Sequence, residues 1–364
     1  MTQKTALLLS GGVDSAVALY QLIAAGRQPD CYYIRIAPRE DADNTLSCSA
    51  EEDIEIAQSL CRRYGVAFDV IDCHREYWER VTHYTIEKVR AGYTPNPDVM
   101  CNRLIKFGAF NEKCGHAYDL IATGHYARTE EEGNLKWLCT SPDPVKDQTD
   151  FLAQLYDWQL SKAIFPIGHM MKEEVRRIAE REHLINAHRK DSQGICFLGK
   201  IDYNDYIRRY LGENPGLVID IETGKKVGTH RGLWFHTIGQ RHGLGFGGGP
   251  WFAVKKNIKK NILFVSHGYN PQSAYTQTFR IGDLNMLTVP VTELLSDQSP
   301  PQQRITFKIR HTSDYLPATM LDNGDDTYTI QADAPVHGVA PGQFCVIYDA
   351  CHHRCYGSAE IMAK

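Results

Sequence analysis

The sequence has no long hydrophobic run, and this absence excludes the membrane-spanning proteins. No stretch approaches the roughly 18 consecutive apolar residues of a transmembrane helix. The N-terminus also lacks a basic segment followed by a long apolar one, which a secretory signal peptide requires. We therefore expect no membrane partner and a cytoplasmic location.

A strong net charge and a regular cysteine pattern are also missing. The formal net charge is −4, from 40 basic and 44 acidic residues, so the molecule as a whole does not attract polyanions. Any nucleic acid must then bind to local basic patches. The 11 cysteines are odd in number and irregularly spaced, which disfavours a disulfide framework and leaves metal binding, catalysis or core packing as their roles.

The chain does contain enough apolar material for more than one core, since 43% of its 364 residues are hydrophobic. A chain of this length usually folds as two or three domains. Buried strands alternate with helices at first, which predicts an α/β domain with a parallel sheet over residues 1–200. Short strands with many turns follow, and they predict a small β-rich central domain over 201–275 and a C-terminal β-barrel over 276–364.

An apolar run near the N-terminus turns through two glycines into a helix. Residues 6–9 predict a buried strand, and apolar residues recur at helical spacing from Ser15 onward. Between them, Ser10-Gly11-Gly12 lets backbone N–H groups approach a ligand, and the helix N-terminus favours an anion. The Walker lysine is missing, so γ-phosphate transfer of the usual kind is not implied. Asp14 is a candidate Mg²⁺ ligand or, in the simpler interpretation, the cap of an ordinary strand-to-helix turn.

The string Ser10-Gly11-Gly12-Val13-Asp14-Ser15 resembles the signature of the ATP pyrophosphatase (PP-loop) superfamily. This resemblance implies cleavage of ATP between the α and β phosphates and adenylation of a carbonyl oxygen. It also implies a set of ATP-binding residues, namely Leu8, Leu9, Ser10, Gly11, Gly12, Val13, Asp14, Ser15, Ile34 and Gly124. Ile34 would line the adenine, and Gly124 ends a predicted strand over 120–126 that faces the same crevice.

Two cysteines lie in segments that suit sulfur chemistry. Pro97 fits a first helical turn, which places Asp98 and Cys101 three residues apart on one face. A cysteine at a helix start is a candidate low-pKa thiol, although a buried structural cysteine is the alternative. Cys196 follows a basic turn and is flanked by apolar residues, so it is either a core residue or the partner of Cys101. Two thiols are what sulfur transfer needs, because one carries a persulfide and the other resolves it.

The motifs together, in this order, resemble the tRNA-specific 2-thiouridylases over nearly the whole chain. The strongest segments are residues 10–15, 94–107, 122–126, 146–148, 191–197, 236–241 and 243–245. The resemblance implies sulfuration of C2 of the wobble uridine (position 34) of tRNA, with ATP, Mg²⁺ and a sulfur donor that is a cysteine desulfurase or relay protein. O2 would be adenylated, persulfide sulfur would displace AMP, and the two cysteines would end as a disulfide that a reductant resets.

Carried over to this sequence, the resemblance assigns roles to individual residues. Cys101 would be the nucleophile, Cys196 the persulfide carrier and Asp98 an acid or base. Asn96, Pro97 and Asp98 would frame the target base with Gly124. The positions expected to contact tRNA are Lys146, Asp147, Gln148, Arg310 and His311, and the position of His311 is often aromatic in the family. The central domain over 201–275 is also expected to bind tRNA.

Other features of the sequence have more than one interpretation. Residues 146–148 form what reads as an exposed polar triplet, and the arginines of a predicted helix over 172–182 read as a solvated face. The lysines within 255–260 suit phosphate contact, although a solvated turn is the default. The cluster Cys351-His352-His353-Arg354-Cys355 lacks a second ligand pair at zinc spacing, so we expect a hairpin turn and no metal.

Two alternative functions remain open at this point. One is another PP-loop activity, such as 4-thiouridine or lysidine synthesis. The other is a non-catalytic nucleotide- and RNA-binding module in which Cys101, Cys114 and Cys196 hold zinc.

Overall fold

The computed structural model describes residues 3–36, 50–191, 203–269, 271–295 and 301–363. Cys196 lies outside these ranges, as does the polar segment over 37–47, for which the sequence predicts a loop. Among the described residues, no helix combines the length and the apolar character that crossing a bilayer requires.

The described residues up to 191 alternate between strands and helices. The strands are β1 (Thr5–Leu8), β2 (Asp30–Arg35), β3 (Phe68–Asp72), β4 (Leu120–Ala122), β5 (Arg128–Glu132), β6 (Leu135–Cys139) and β7 (Ala163–Ile164). The α-helices are α1 (Val13–Ala24), α2 (Ala50–Tyr64), α3 (His74–Tyr77), α4 (His83–Arg90), α5 (Pro97–Cys101), α6 (Phe110–Lys113), α7 (Thr149–Leu152), α8 (Asp157–Lys162) and α9 (Lys172–Arg181). Trp78–Thr82 and Asn102–Ala109 are π-helical, and Gly115–Ala117 is a 3₁₀ turn.

A parallel sheet in the order β3-β2-β1-β4-β7 organises this part of the chain. Ala6 and Leu8 belong to one apolar cluster, and Leu7 and Leu9 belong to another. Both faces of β1 are therefore covered, which explains why the strand reads as a continuous apolar run. The strand order runs from β1 to β2 on one side and to β4 on the other. A crevice consequently opens outside the carboxyl ends of β1 and β4, where ligands of such sheets bind.

The predicted elements of this part agree with the structure in type and shift at their ends. The sequence predicts a helix over 77–91, and the structure has a helical path there that begins at His74 and ends at Arg90, with a π-helical turn inside it. The strand predicted over 120–126 ends at Ala122, because the chain turns at Thr123 and Gly124 towards the loop after β1.

The middle of the chain is a helix followed by a small sheet. It comprises α10 (Tyr203–Leu211), β8 (Gly216–Asp220), β9 (Lys226–His230), β10 (Trp251–Asn257) and β11 (Ile262–His267), with a 3₁₀ turn at Leu233–Phe235. The sheet has the order β10-β11-β8-β9. Val218, Ala253, Leu263 and Val265 form its buried core.

The C-terminal part is a closed six-stranded β-barrel. After a 3₁₀ turn at Gln272–Ala274 it comprises β12 (Tyr275–Met286), α11 (Val291–Leu294), β13 (Gln302–Lys308), β14 (Leu316–Asp322), β15 (Tyr328–His337), β16 (Phe344–Tyr348) and β17 (Arg354–Ile361). The strands pair in the order β12-β15-β14-β13-β16-β17, and pairing of β12 with β17 closes the barrel. Alternate residues such as Ile305 and Phe307 fill the interior. The predicted fold class, a parallel α/β domain followed by β-rich parts and a barrel, is confirmed.

The three parts contact one another through specific groups. β6 pairs with β17, so the β5–β6 hairpin extends the sheet of the barrel. Thr94 N–H donates to Pro341 C=O at 2.8 Å, next to the predicted cysteine segment. Lys256 Nζ donates to Gly92 C=O at 3.3 Å, which joins the middle sheet to the same region.

Candidate functional site

The loop after β1 has a backbone that only glycine permits. Gly11 has φ +75°, and a Cβ there would lie 2.8 Å from both Cα and the carbonyl oxygen of Asp53. Gly12 is the N-cap of α1, and it has no side chain to cap the first turn. The N–H groups at the start of α1 therefore face the crevice beyond β1 without a side-chain partner at the cap, as an anion site requires.

Ser15 and Gly124 fix the shape of this loop. Ser15 Oγ donates to Gly12 C=O at 3.0 Å and accepts from Ser10 N–H at 3.2 Å. A Cβ on Gly124 would lie 2.8 Å from Ser15 N and 2.9 Å from Asp14 C. The turn after β4 thus packs directly on the loop after β1. On the far side, Asn186 Nδ2 donates to Gly11 C=O at 2.8 Å.

A cluster of cations faces Asp14 at the start of α1. Lys172 Nζ lies 2.7 and 2.9 Å from the two carboxylate oxygens of Asp14 and 2.8 Å from Oδ1 of Asp191. Asp191 also pairs with Lys146 at 2.8 Å and with Arg176 at 2.6 Å. Burial opposes ionisation of Asp191, but its bonds to Lys146 and Lys172 prevail and lower its pKa. The prediction that the charges of this helix form a solvated face is wrong for Arg176, which turns into the cluster.

Tyr126 connects Asp14 to the segment after β6. Its hydroxyl donates to Asp14 Oδ1 at 2.8 Å, and its backbone N–H donates to Gln148 Oε1 at 3.0 Å. Gln148 N–H in turn donates to Tyr126 C=O at 2.8 Å. Gln148 is half-buried, so within this structure it positions Tyr126.

The segment with Asp98 and Cys101 approaches the loop from the His125 side. Asn96 caps α5, because its Oδ1 accepts from Asp98 N–H at 3.1 Å. Cys101 is 1% exposed and belongs to the apolar cluster that also contains Leu8 and Ile34, while Asp98 is half-buried. The chain continues as the π-helical turn, an irregularity that is frequent at functional sites.

Lys106 of that π-helical turn reaches the turn that follows β4. Its Nζ lies 3.4 Å from Nε2 of His125, the residue after Gly124. Burial, with the charge of Lys106, holds the pKa of His125 well below its usual value, so the imidazole is neutral. His125 Nδ1 lies 2.7 Å from Thr123 Oγ1. The structure therefore brings the Cys101 segment and the loop after β1 to opposite sides of one short turn.

Cys196 lies outside the described residues, so its place is a prediction. Asp191, the last described residue before it, is held in the cation cluster. Cys196 follows Asp191 by five positions, and an extended chain covers at most about 18 Å over five residue steps.

The residues predicted to contact tRNA lie in two different environments. Lys146 is half-buried, and His311 is exposed, with its ring 4.9 Å from the Phe151 ring and its Nδ1 3.1 Å from Asp150. Arg310 instead holds two parts of the chain together, because it donates to Ile238 C=O at 3.0 Å and to Gly338 C=O at 2.5 Å.

The prediction of an exposed triplet over 146–148 is wrong for Asp147, which is 1% exposed. Its carboxylate accepts from Ser141 N–H at 2.9 Å, Thr149 Oγ1 at 2.7 Å and Tyr315 Oη at 3.0 Å. The ammonium of the equally buried Lys308 lies 3.5 Å away. Asp147 joins the first domain to the barrel, because Lys308 and Tyr315 both come from the barrel region.

Residues 351–353 lie in the turn between β16 and β17, so the predicted hairpin is present, while Arg354 and Cys355 begin β17. Among the described residues, His353 forms a group with Glu130 and Cys139 whose ligand atoms all lie within 4.8 Å of one another. Arg128 Nη2 lies 3.4 Å from His353 Nδ1, and burial raises the pKa of Cys139 to about 12. A guanidinium beside the imidazole and a protonated thiol both oppose a cation, so these residues do not fit a metal centre.

Several residues of the site were missed in the sequence. Lys172, Asp191 and Tyr126 contact the loop after β1 or its neighbours, yet Lys172 and Asp14 are 158 residues apart in the chain. No local pattern connects such pairs. Tyr126 and Asp191 did carry a signal, because they belong to the motif segments 122–126 and 191–197.

Comparison with known families covers almost the whole chain. Residues 3–200 match the family described as "tRNA methyl transferase HUP domain". Residues 204–267 match "tRNA methyl transferase PRC-barrel domain", and residues 284–361 match "Aminomethyltransferase beta-barrel domain".

Full-length relatives are more specific than these descriptions. A tRNA-specific 2-thiouridylase MnmA 2 of Bacteroides fragilis (strain YCH46) is 55% identical over 356 residues, which are 98% of this chain and 99% of the relative. A tRNA-specific 2-thiouridylase MnmA of Porphyromonas gingivalis is 54% identical over 98% of both chains. One from Parabacteroides distasonis is 53% identical, again over 98% of both. The chain therefore belongs to the family of tRNA-specific 2-thiouridylases.

Proposed function

We propose that this protein catalyses the ATP-dependent 2-thiolation of the wobble uridine, position 34, of tRNA. The observation that carries the proposal is the convergence of the glycine loop, the cations on Asp14 and Asp191, and the Cys101 segment around the turn at Gly124. Glycine amides and lysines suit a triphosphate, and the neighbouring thiol suits sulfur chemistry. The activity in the names of the full-length relatives supports the same proposal.

ATP is proposed to bind with its phosphates on the loop from Ser10 to Ser15 and its base against Ile34 and Leu8. Both of these apolar side chains are buried at the ends of strands beside the crevice. Lys172 and Lys146 are each held by a carboxylate, and phosphate oxygens offer the same ammonium groups alternative partners. Lys172 and Lys146 would thus serve as the phosphate-binding lysines that the loop itself lacks.

The carboxylates of the site also fit a Mg²⁺ ion. Asp14 and Asp191 both have an oxygen within 2.8 Å of the Lys172 ammonium, so their oxygens converge on one point. Carboxylates with phosphate oxygens are the ligands that Mg²⁺ prefers, and the ion would neutralise charge on the leaving pyrophosphate.

The reaction is proposed to run in two transfers. O2 of the uridine attacks the α-phosphorus, and pyrophosphate leaves. The terminal sulfur of a Cys196 persulfide then attacks C2, and AMP departs with O2. The Cys101 thiolate attacks Sγ of Cys196, so the terminal sulfur stays on the base as the S–S bond breaks and a Cys101–Cys196 disulfide forms. A two-electron reductant resets the disulfide, and a cysteine desulfurase or relay protein renews the persulfide.

The surroundings of Cys101 suit this role. With 1% exposure and an apolar cluster around it, the thiol is shielded from bulk water and from chance oxidants. Asp98 is proposed as the acid or base beside it, and Asn96 and Pro97 as the frame of the flipped base with Gly124.

The tRNA is proposed to extend from this crevice over Lys146, Gln148 and His311. Asp147 and Arg310 contribute by holding the surface together, since both are occupied by contacts between domains. We propose domain boundaries at 1–200, 201–275 and 276–364. The β5–β6 hairpin belongs to the first domain in the chain, although β6 pairs with β17 of the barrel sheet. A tRNA substrate implies a cytoplasmic location.

The alternative functions are less well supported. The metal-ligand group found among the described residues contains neither Cys101 nor Cys114, which disfavours a zinc module built on them. A 4-thiouridine or lysidine synthase would leave a different nucleoside in the product.

The proposal is tested by mass spectrometry of nucleosides from tRNA incubated with the protein, ATP and a protein-bound persulfide donor. We expect 2-thiouridine at position 34 with wild-type protein and none with Cys101→Ser or Cys196→Ser. Cys114→Ser is the control and should keep wild-type activity. Appearance of 4-thiouridine or lysidine, or wild-type rates in the first two variants, would contradict the proposal.

A further inference from the structure

The middle domain has a cavity that the proposed chemistry does not use. Its volume is about 390 Å³, and its walls include Arg241, His242, Leu244, Phe246, Trp251 and Tyr269. Residues 241–245 form part of its wall, and they overlap two motif segments of the sequence, 236–241 and 243–245, that have no role in the proposed ATP site. One nucleotide fits a cavity of this size.

Arg241 supplies a positive charge to this cavity. Its guanidinium carbon lies 5.6 Å from the ring centroid of Tyr269 and 5.9 Å from that of Phe252, so aromatic rings hold the group. Within the described part of the chain, Arg241 forms no ion pair, whereas Arg208 and Arg231 of the same domain both pair with Glu213. The charge of Arg241 is therefore available to an anion.

Tyr269 and Trp251 supply flat apolar surface beside that charge. Tyr269 is 73% exposed, the highest value among the large hydrophobic side chains of the described residues. Trp251 is held in place by its Nε1 bond to Gly247 C=O at 3.0 Å and by the His267 ring at 4.7 Å. Arginine combined with an exposed aromatic ring is the arrangement that binds a phosphate and stacks a base.

A chain of contacts connects the cavity to the ATP crevice. Ile238, three residues before Arg241, accepts from Arg310 at 3.0 Å. The next residue, His311, pairs with Asp150 at 3.1 Å, and Asp150 follows the segment whose Lys146 reaches Asp191. These contacts join the middle domain to the segment whose Lys146 belongs to the cation cluster, so packed parts of the chain connect the cavity and the ATP crevice.

We propose that this cavity, the Arg241 cavity, binds one unstacked nucleotide of the tRNA, with its phosphate on Arg241 and its base on Tyr269. The inference rests on the proposed function for the identity of the RNA. One unpaired guanidinium matches the single charge of a phosphodiester. A free triphosphate carries more negative charge than one guanidinium balances. The carboxylates of Asp220 and Glu222, which line the neighbouring pocket that shares Trp251, would also repel it.

The test is tRNA affinity of the full-length protein, measured by filter binding over a range of salt concentrations. Tyr269→Ala should weaken binding about 5- to 150-fold, the value of one base–aromatic stack. Tyr269→Phe keeps the ring and should stay within about twofold of wild type. Arg241→Gln should lower the slope of log K against log salt by about one phosphate contact, whereas Arg231→Gln, the matched control with an ion-paired arginine, should leave the slope unchanged.

Two results would overturn the assignment to RNA. One is wild-type tRNA affinity in both Tyr269→Ala and Arg241→Gln. The other is a second equivalent of AMP or ATP in a calorimetric titration that Arg241→Gln abolishes, since that would make the cavity a site for free nucleotide. These binding measurements do not depend on catalysis, so a failure of thiolation itself is recognised separately by the absence of 2-thiouridine in the wild-type reaction.

Discussion

Replacement of Lys172 is the sharpest test of how this site handles phosphate. Its side chain is 13% exposed, and its ammonium lies between the carboxylates of Asp14 and Asp191. If the ammonium moves to a phosphate oxygen when ATP is cleaved, it stabilises the negative charge that develops on the phosphates. Lys172→Gln then removes one charged hydrogen-bond donor from that charge. Loss of one such donor costs about 3 to 4 kcal/mol, or about 10²- to 10³-fold in rate. We expect the rate of AMP formation in the presence of tRNA to fall by this factor.

The assay is single-turnover release of AMP and pyrophosphate at saturating ATP and tRNA, with ATP affinity measured separately. Arg181→Gln is the matched control, because Arg181 is on the same helix, is 64% exposed and pairs only with surface groups. It should retain the wild-type rate. A Lys172→Gln rate within about threefold of wild type would refute the assignment of this lysine to the phosphates.

Three further predictions concern the loop, the domain interface and pH. Gly11→Ala should lower the unfolding midpoint and abolish ATP binding, because its Cβ would strike backbone at 2.8 Å at φ +75°. Gly12→Ala meets nothing closer than 3.4 Å and should fold normally, so equal loss in both variants would contradict the steric argument. Lys308→Met strands the buried carboxylate of Asp147, and urea unfolding should show a loss of about 3 to 5 kcal/mol; a neutral result would mean that the pair is not formed. Burial lowers the pKa of Lys256 to about 8, so the unfolded chain binds more protons above that pH. The unfolding free energy should therefore rise between about pH 8 and 10, and Lys256→Met should remove that rise; an unchanged pH profile in the variant would contradict it.

Local patterns in the sequence predicted the elements whose burial follows from their own apolar residues. The apolar run of β1 and the helix after it appear within one or two residues of their predicted places. The barrel agrees with the short strands and turns that predicted it, and the inward residues of strands such as β13 fill its interior. The β5–β6 hairpin escaped prediction as part of the barrel sheet, because pairing of β6 with β17 joins strands that are more than 200 residues apart.

The site was predictable only as far as its motifs extend. The glycines of the loop and the cysteine segment carry local signals, namely positive φ and a proline-led helix start. The sequence does not show which residue a charged side chain pairs with. Lys172 was therefore interpreted as part of a solvated helix, and Asp147 as an exposed contact for RNA. Their actual roles depend on Asp14 and Lys308, which only the folded chain brings to them.

The central claim is that O2 of the uridine is activated by adenylation before sulfur replaces it. The most direct measurement is a single-turnover reaction on an anticodon stem-loop RNA that carries ¹⁸O at O2 of uridine 34. We expect one ¹⁸O atom in the phosphate of AMP for each 2-thiouridine formed. Label in pyrophosphate or water, or 2-thiouridine formed without labelled AMP, would contradict it.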